Sequence, residues 1–283
     1  MTGVLAALGA ALAWTSASSI WRSLSSVGSA VQLNCLKNGL ATLLFAPMLV
    51  LLPWSTQFGG LGLLLLSGAI GIAAGDSFYL AALRRLGTRR TLTVEAVGPV
   101  LASVGSVLLM GEQLRLQAWI GALLVSGAVV LIARPGGASG QLSRNGLLCA
   151  LMAVVCGLSG AFIARTVLID GGVSPLHSAV VRLLGGWLML VPISASAFTR
   201  IKGSQRSIAL RVLLATALGT NLGIALQQVV FQQLPVGPGV TLMSTAPVMA
   251  LVVARFEGEA LQWRGVMAAL LAVSGVALTS LWS

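Results

Sequence analysis

The sequence predicts an all-α integral membrane protein with ten transmembrane helices in two inverted five-helix repeats. Three observations carry that expectation. The 283-residue chain is 57% hydrophobic and 8% charged, with a mean hydropathy of +0.98, and a soluble domain of this size needs more charge to cover its surface. Its apolar runs are about 20 residues long and continuous rather than alternating, which suits membrane-crossing helices and not barrel strands. The chain also repeats itself. Ser29–Lys37–Pro47 recurs as Ser174–Arg182–Pro192, shifted by 145, and Gly71–Gly75–Leu86–Pro99–Ser126–Gly127 recurs as Gly219–Gly223–Leu234–Pro247–Ser274–Gly275, shifted by 148. A period of about half the chain marks a tandem duplication.

The spans are expected at 3–21, 29–52, 61–83, 91–110 and 116–133, then at 146–165, 174–197, 209–232, 238–256 and 263–282. Residues 1–133 form the first copy and 146–283 the second. The segment 134–145, with Pro135, Gly136, Gly137 and Gly140, reads as the linker. Met1-Thr2-Gly3 lacks a basic leader region, so the first apolar run is expected to be retained.

An odd number of spans per copy turns the second copy upside down, a design found in many transporters. The loop charges agree. Arg84, Arg85, Arg89 and Arg90 lie between spans 3 and 4, whereas the equivalent break, Gln232–Pro238, carries none. Spans 2 and 3 are joined without a cation, whereas Arg200, Lys202, Arg206 and Arg211 lie between spans 7 and 8. With Arg22, Arg134, Arg144, Arg255 and Arg264, the basic loops gather on one face, against Arg115 and Arg165 on the other. The basic face is expected to be cytoplasmic, which puts both termini outside a cell (plasma or inner) membrane. The net charge of +11 is thus used for orientation, and no nucleic-acid partner is expected.

Lys37 and Arg182 each lie eight residues inside a span, about 12 Å from its end, so both approach the midplane from opposite faces. A charge there is expensive, and midplane sites are where such carriers hold substrate. The pair either meets a carboxylate or phosphate in a central cavity or is neutralised by neighbours and holds helices together. Asp76 matches Lys37 in depth; it either pairs with Lys37 or binds a coupling proton or sodium ion. The second copy has Ile224 at that place, which leaves Arg182 without an equivalent carboxylate.

Asn34, Lys37 and Asn38 share a face of span 2, and Asp76 and Tyr79 share a face of span 3. Tyr79 corresponds to Gln227, which joins Asn221 and Gln228 on span 8. These groups line a wet cavity or bond between helices. Glu95, one turn into span 4, is either a dipole-stabilised carboxylate beside Arg89 and Arg90 or a gating or proton group. Glu112 and Glu259 read as interfacial, and His177 as a surface group at the mouth of span 7. Pro99 and Pro247 are expected to bend spans 4 and 9. The pairs Gly71/Gly75 and Gly219/Gly223 read as packing stripes. Cys35, Cys149 and Cys156 fall in apolar runs, so neither a disulfide framework nor a metal site is expected. No nucleophile–base set, metal-ligand spacing or phosphate-cradling loop is present, so the chain reads as no enzyme and needs no cofactor.

These residues together resemble the drug/metabolite transporter superfamily, specifically its EamA-type ten-span members, over nearly the whole chain. The resemblance is carried by the cation in the second span of each copy (Lys37, Arg182) and by Phe78-Tyr79 with Ala82-Leu83. Pro99 and Pro247, Gly111-Glu112 and Gly258-Glu259, and the Ser-Gly pairs Ser126-Gly127 and Ser274-Gly275 complete it. It implies a secondary carrier of small metabolites, often an exporter, with a cavity between the repeats. Lys37 stands where members often show arginine, and the outward termini oppose the cytoplasmic termini of many members. The carboxylate that small multidrug carriers use in their first helix has no counterpart in span 1. The leading expectation is a secondary active transporter of a small polar, anionic or zwitterionic metabolite working by alternating access. A proton-coupled drug exporter using Asp76 or Glu95, or a lipid flippase, is the alternative.

Overall fold

The computed structural model describes residues 1–22, 30–52, 57–133, 143–194, 206–249 and 263–280. Most of the expected linker lies outside these residues, as do Ser29, Arg134, Arg200, Lys202, Arg255 and Glu259.

The regular elements among the described residues are all helical. In order they are α1 (Thr2–Arg22), α2 (Ala30–Leu44), the one-turn α3 (Ala46–Leu49), α4 (Phe58–Leu86), α5 (Thr88–Glu95), α6 (Gly98–Met110), α7 (Leu116–Ala133), α8 (Arg144–Ile169), α9 (Pro175–Ser194), α10 (206–233), α11 (Val236–Met243) and α12 (Trp263–Ser280). Among the described residues, seven helical segments are long and apolar enough to cross a membrane. The other three expected spans are helical but not described in full. α1 runs 21 residues, Thr2–Arg22, with Thr2–Ser18 as its apolar stretch. α2 stops at Leu44, and the helical residues 246–249 lead into a stretch outside the described residues. Large apolar side chains such as Leu43, Leu108, Leu123, Val155, Leu188 and Val273 are exposed on the outside, as lipid-facing surface would be.

The prolines do not bend continuous helices as expected; they start new ones. Pro99 occupies the first turn of α6 after the break at Ala96–Val97. Pro247 follows an equivalent break at 244–245, and Pro47 opens α3 after Phe45. Proline lacks an N–H and suits a first helical turn, where that donor has no partner anyway. Pro192 is the exception and lies inside α9. The spans also run longer than read from sequence at several ends: α4 reaches Leu86, and α8 covers Arg144–Ile169.

Neither third span is a uniform α-helix. α4 widens into a π-helical segment at Ala69–Gly75, and α10 does the same at Thr216–Leu222. The two widenings fall almost at the same repeat position, and hydrophobic periodicity gave no sign of them. π segments recur at functional positions because they rotate the following side chains and loosen backbone bonding.

Packing pairs elements across the two halves. α1 lies on α10 and α8 on α4; α2 touches α10 and α9 touches α4; α2 meets α9, α6 meets α11 and α7 meets α12. Each contact has a counterpart when the halves are exchanged. The glycine stripes make the same point at atomic detail. A Cβ on Gly71 would reach the Gly160 Cα at 3.3 Å, and one on Gly75 would meet Gly157 N at 3.5 Å. Gly219 faces Ala17 and Gly223 faces Trp14, both on α1. Small residues thus let α4 approach α8 backbone to backbone, while on α10 they make room for the Ala17 and Trp14 side chains of α1.

Candidate functional site

The centre of the bundle is built from α2, α4, α9 and α10. α9 and α4 touch through glycine: a Cβ on Gly68 would overlap the Arg182 carbonyl, and one on Gly185 would overlap that of Leu65. This approach fixes Arg182 against the start of the π segment, and its Nη2 would lie 3.3 Å from a Cβ at Gly71.

Arg182 is buried, with 3% of its surface exposed. Its Nη1 donates to Gln227 Oε1 at 3.2 Å, and its Nε has no hydrogen-bond partner among the described residues. Gln227 Oε1 also accepts from Gln228 Nε2 at 3.4 Å, and Gln228 Oε1 accepts from Ser178 Oγ at 3.0 Å. A buried chain Ser178–Gln228–Gln227 therefore holds the guanidinium from one side.

Lys37 Nζ lies 2.5 Å from Asp76 Oδ2. The two side chains are 19% and 37% exposed, respectively, although both sit well inside their helices. Asp76 is the first residue after the π segment of α4, so the widening sets the direction in which its carboxylate leaves the helix. Asp76 is within electrostatic reach of Arg182, Glu95 and Tyr79, and Glu95 of Tyr79. The cluster thus contains two cations and two carboxylates. Only Lys37 and Asp76 are in direct contact.

The amides sort differently. Asn34 Nδ2 donates to Ile72 O (3.1 Å), Ala73 O (3.2 Å) and Ser77 Oγ (3.1 Å), so this side chain ties α2 to the loosened π backbone. Asn38 Nδ2 donates to Asn34 Oδ1 at 2.9 Å, and Asn221 Nδ2 to Ala41 O at 2.9 Å. Asn38 Oδ1 and Asn221 Oδ1 are buried without a partner among the described residues. Asn34 therefore belongs to the framework, while Asn38 and Asn221 combine a framework bond with a spare acceptor. Pro99 and Pro247 lie at helix breaks rather than in the cluster. Among the described residues no group of three or more His, Cys, Asp or Glu could hold a metal.

A family model described as the EamA-like transporter family matches residues 1–134 and again 144–281. The chain belongs to the EamA-like transporter family. Its members are membrane transporters of small molecules and not enzymes, and the family match with the apolar helices makes this chain a multi-pass membrane protein. A solved structure, described only as a crystal structure of a protein, is similar over 99% of this chain and 96% of its own, at 20% identity and a TM-score of 0.78. That likeness concerns the fold. No curated protein matches the chain by sequence.

Sequence reasoning about this EamA-like chain missed a second charged centre. Arg165, read as a loop cation, is buried inside α8, and Glu112, read as interfacial, is its partner. Arg165 Nη2 lies 2.7 Å and Nε 2.8 Å from Glu112 Oε1, with side-chain exposures of 10% and 13%. Arg165 Nη1 donates to Phe231 O at 2.6 Å. The Gly-Glu dipeptide after span 4 was the available signal, since a carboxylate in a nearly charge-free chain calls for a cation.

Proposed function

We propose that this chain is a secondary active transporter that moves a small polar, anionic or zwitterionic metabolite across the cell membrane by alternating access. Ten spans in two inverted five-helix repeats surround the site, and the basic loops face the cytoplasm. The exchange-symmetric packing of the two halves and the duplicated π segments support the inverted repeat.

One observation carries the substrate class. Arg182 is buried at the junction of α4, α9 and α10, with one neutral acceptor on Nη1 and a free Nε donor. A buried guanidinium with spare donors is matched to a carboxylate or phosphate, which it can bind through two parallel hydrogen bonds. Lys37 is held by Asp76, so it orients substrate charge at longer range, and Asp76 or Glu95 carries the coupling proton.

The test is reconstitution in vesicles with a panel of metabolites, with and without a proton gradient. Arg182→Ala is expected to abolish transport of the accepted anion while the protein inserts normally. Undiminished flux in that variant overturns the role of Arg182. Preferential export of cationic drugs, or of lipid, overturns the substrate class.

A further inference from the structure

Four chain segments meet at the end of the bundle that carries the N-terminus. Thr2 Oγ1 is hydrogen bonded to Gln233 Oε1, joining α1 to the end of α10. Arg165, near the end of α8, donates from Nη1 to the carbonyls of Phe231 (2.6 Å) and Gln232 (3.3 Å). These belong to the last turn of α10, whose carbonyls lack helical N–H partners, so Arg165 caps that helix. Glu112 comes from the turn between α6 and α7. Gly111 ends α6 in the left-handed region (φ 65°), and Glu112 N bonds back to Ser106 O at 3.0 Å. The carboxylate is thereby fixed on the guanidinium.

We propose that Arg165 and Glu112 form the clasp that closes the cavity on the N-terminal face, made in this conformation and broken when that face opens. The inference rests on the alternating-access reading. Glu112 belongs to the first half of the chain, whereas Arg165 and the α10 carbonyls belong to the second, so the clasp ties one repeat to the other at this end of the bundle. It sits over the exit of α10, the helix whose Gln227 holds Arg182, about 6–8 Å deeper at 1.5 Å per residue. A buried ion pair is a discrete two-state contact: made, it pairs the two charges through Glu112 Oε1, while Oε2 is buried without a partner among the described residues, and broken, it requires both to reach water.

The sequence carries the parts of a second such pair. Arg165 recurs as Arg22 at a shift of 143, and Glu112 as Glu259 at a shift of 147. The register is anchored by contacts. The 143 shift also matches Gly157 to Trp14 and Gly160 to Ala17, which pack against Gly75, Gly223, Gly71 and Gly219 at equivalent places. A gate that acts on each face in turn requires two copies of its parts, whereas a static brace has no such requirement. The Arg22 side chain and Glu259 lie outside the described residues, so the proposal stands on the Arg165–Glu112 clasp alone.

The test needs no substrate, so it separates from the test of transport. In a background with Cys35, Cys149 and Cys156 replaced by Ala, a single cysteine replaces Gln227. A membrane-impermeant maleimide is then added from the N-terminal side, identified by labelling a cysteine at Thr2. Glu112→Gln is expected to raise the labelling rate about ten-fold or more, since losing one partner of a buried pair disfavours the closed state. Glu112→Asp, which keeps the charge, stays near the parent. If Glu112→Gln is not monodisperse in detergent, the double variant Arg165→Leu/Glu112→Leu removes both charges and leaves no unpaired one; the same rise is expected. An unchanged rate in a monodisperse variant overturns the gate, whatever the transport assays show. Loss of the folded protein in both variants, with the parent intact, overturns it too, because a clasp that opens in each cycle cannot be indispensable to the fold.

Discussion

Lys37 and Arg182 occupy the same place in their copies and are held differently. Lys37 is in an ion pair whose members are 19% and 37% exposed, so the water-filled cavity that the transport reading requires would screen it and keep its net coupling small. A double-mutant cycle of Lys37→Met and Asp76→Asn, read by thermal unfolding in detergent, is expected to give a coupling of about 0.5–1 kcal/mol. A value of several kcal/mol refutes the screened pair. Asn34 is the opposite case. Buried, with its amide shared among three acceptors on α4, it is expected to lose about 1–2 kcal/mol on replacement by Leu. An unshifted melting midpoint in Asn34→Leu contradicts that role. The shared face of Asn34, Lys37 and Asn38 was legible from spacing. Which of the three serves the framework was not, because that depends on carbonyls forty residues away.

At the scale of elements, the approach of α4 to α9 decides where Arg182 sits. Gly68 and Gly185 leave no room for a Cβ against the opposing carbonyls. Gly68→Val is expected to destabilise the protein by about 3 kcal/mol or more, since the obstacle is backbone and not a flexible side chain. Gly62→Ala, where nothing lies within 4 Å, serves as the control. Similar melting midpoints for the two variants refute the close contact. The proline signals in spans 4 and 9 were visible in the sequence, and the structure corrected their meaning from bends to breaks. The π segments left no trace in hydrophobic periodicity, because Ala69–Gly75 is apolar or glycine throughout and offers no polar face whose rotation would register. They still govern the site: Asp76 leaves α4 at the end of one, and Asn221 lies in the other.

At the scale of the whole molecule, the duplication organises both the packing and the charges. If Arg84, Arg85, Arg90 and Arg211 mark the cytoplasmic face, a reporter fused to Ser283 is expected to be active only outside the cytoplasm. A cytoplasm-only signal reverses the orientation and, with it, the face closed by Arg165 and Glu112. The exchange of α1 with α8, and of α10 with α4, shows that each half completes its packing on the other.

Membrane class, duplication and the two cations inside spans were determined by the sequence itself, because the hydrocarbon layer imposes a length and a polarity on every span whatever its neighbours. The π segments, the helix breaks, the division of the asparagines between framework and site, and the Arg165–Glu112 contact were decided only in the folded molecule. Each depends on a partner distant in the chain: Asn34 on Ile72 and Ala73, Arg182 on Gln227, Arg165 on Glu112 and Phe231. Local periodicity carries no information about such partners, because a buried polar group is placed by whichever donor or acceptor the tertiary packing brings to it.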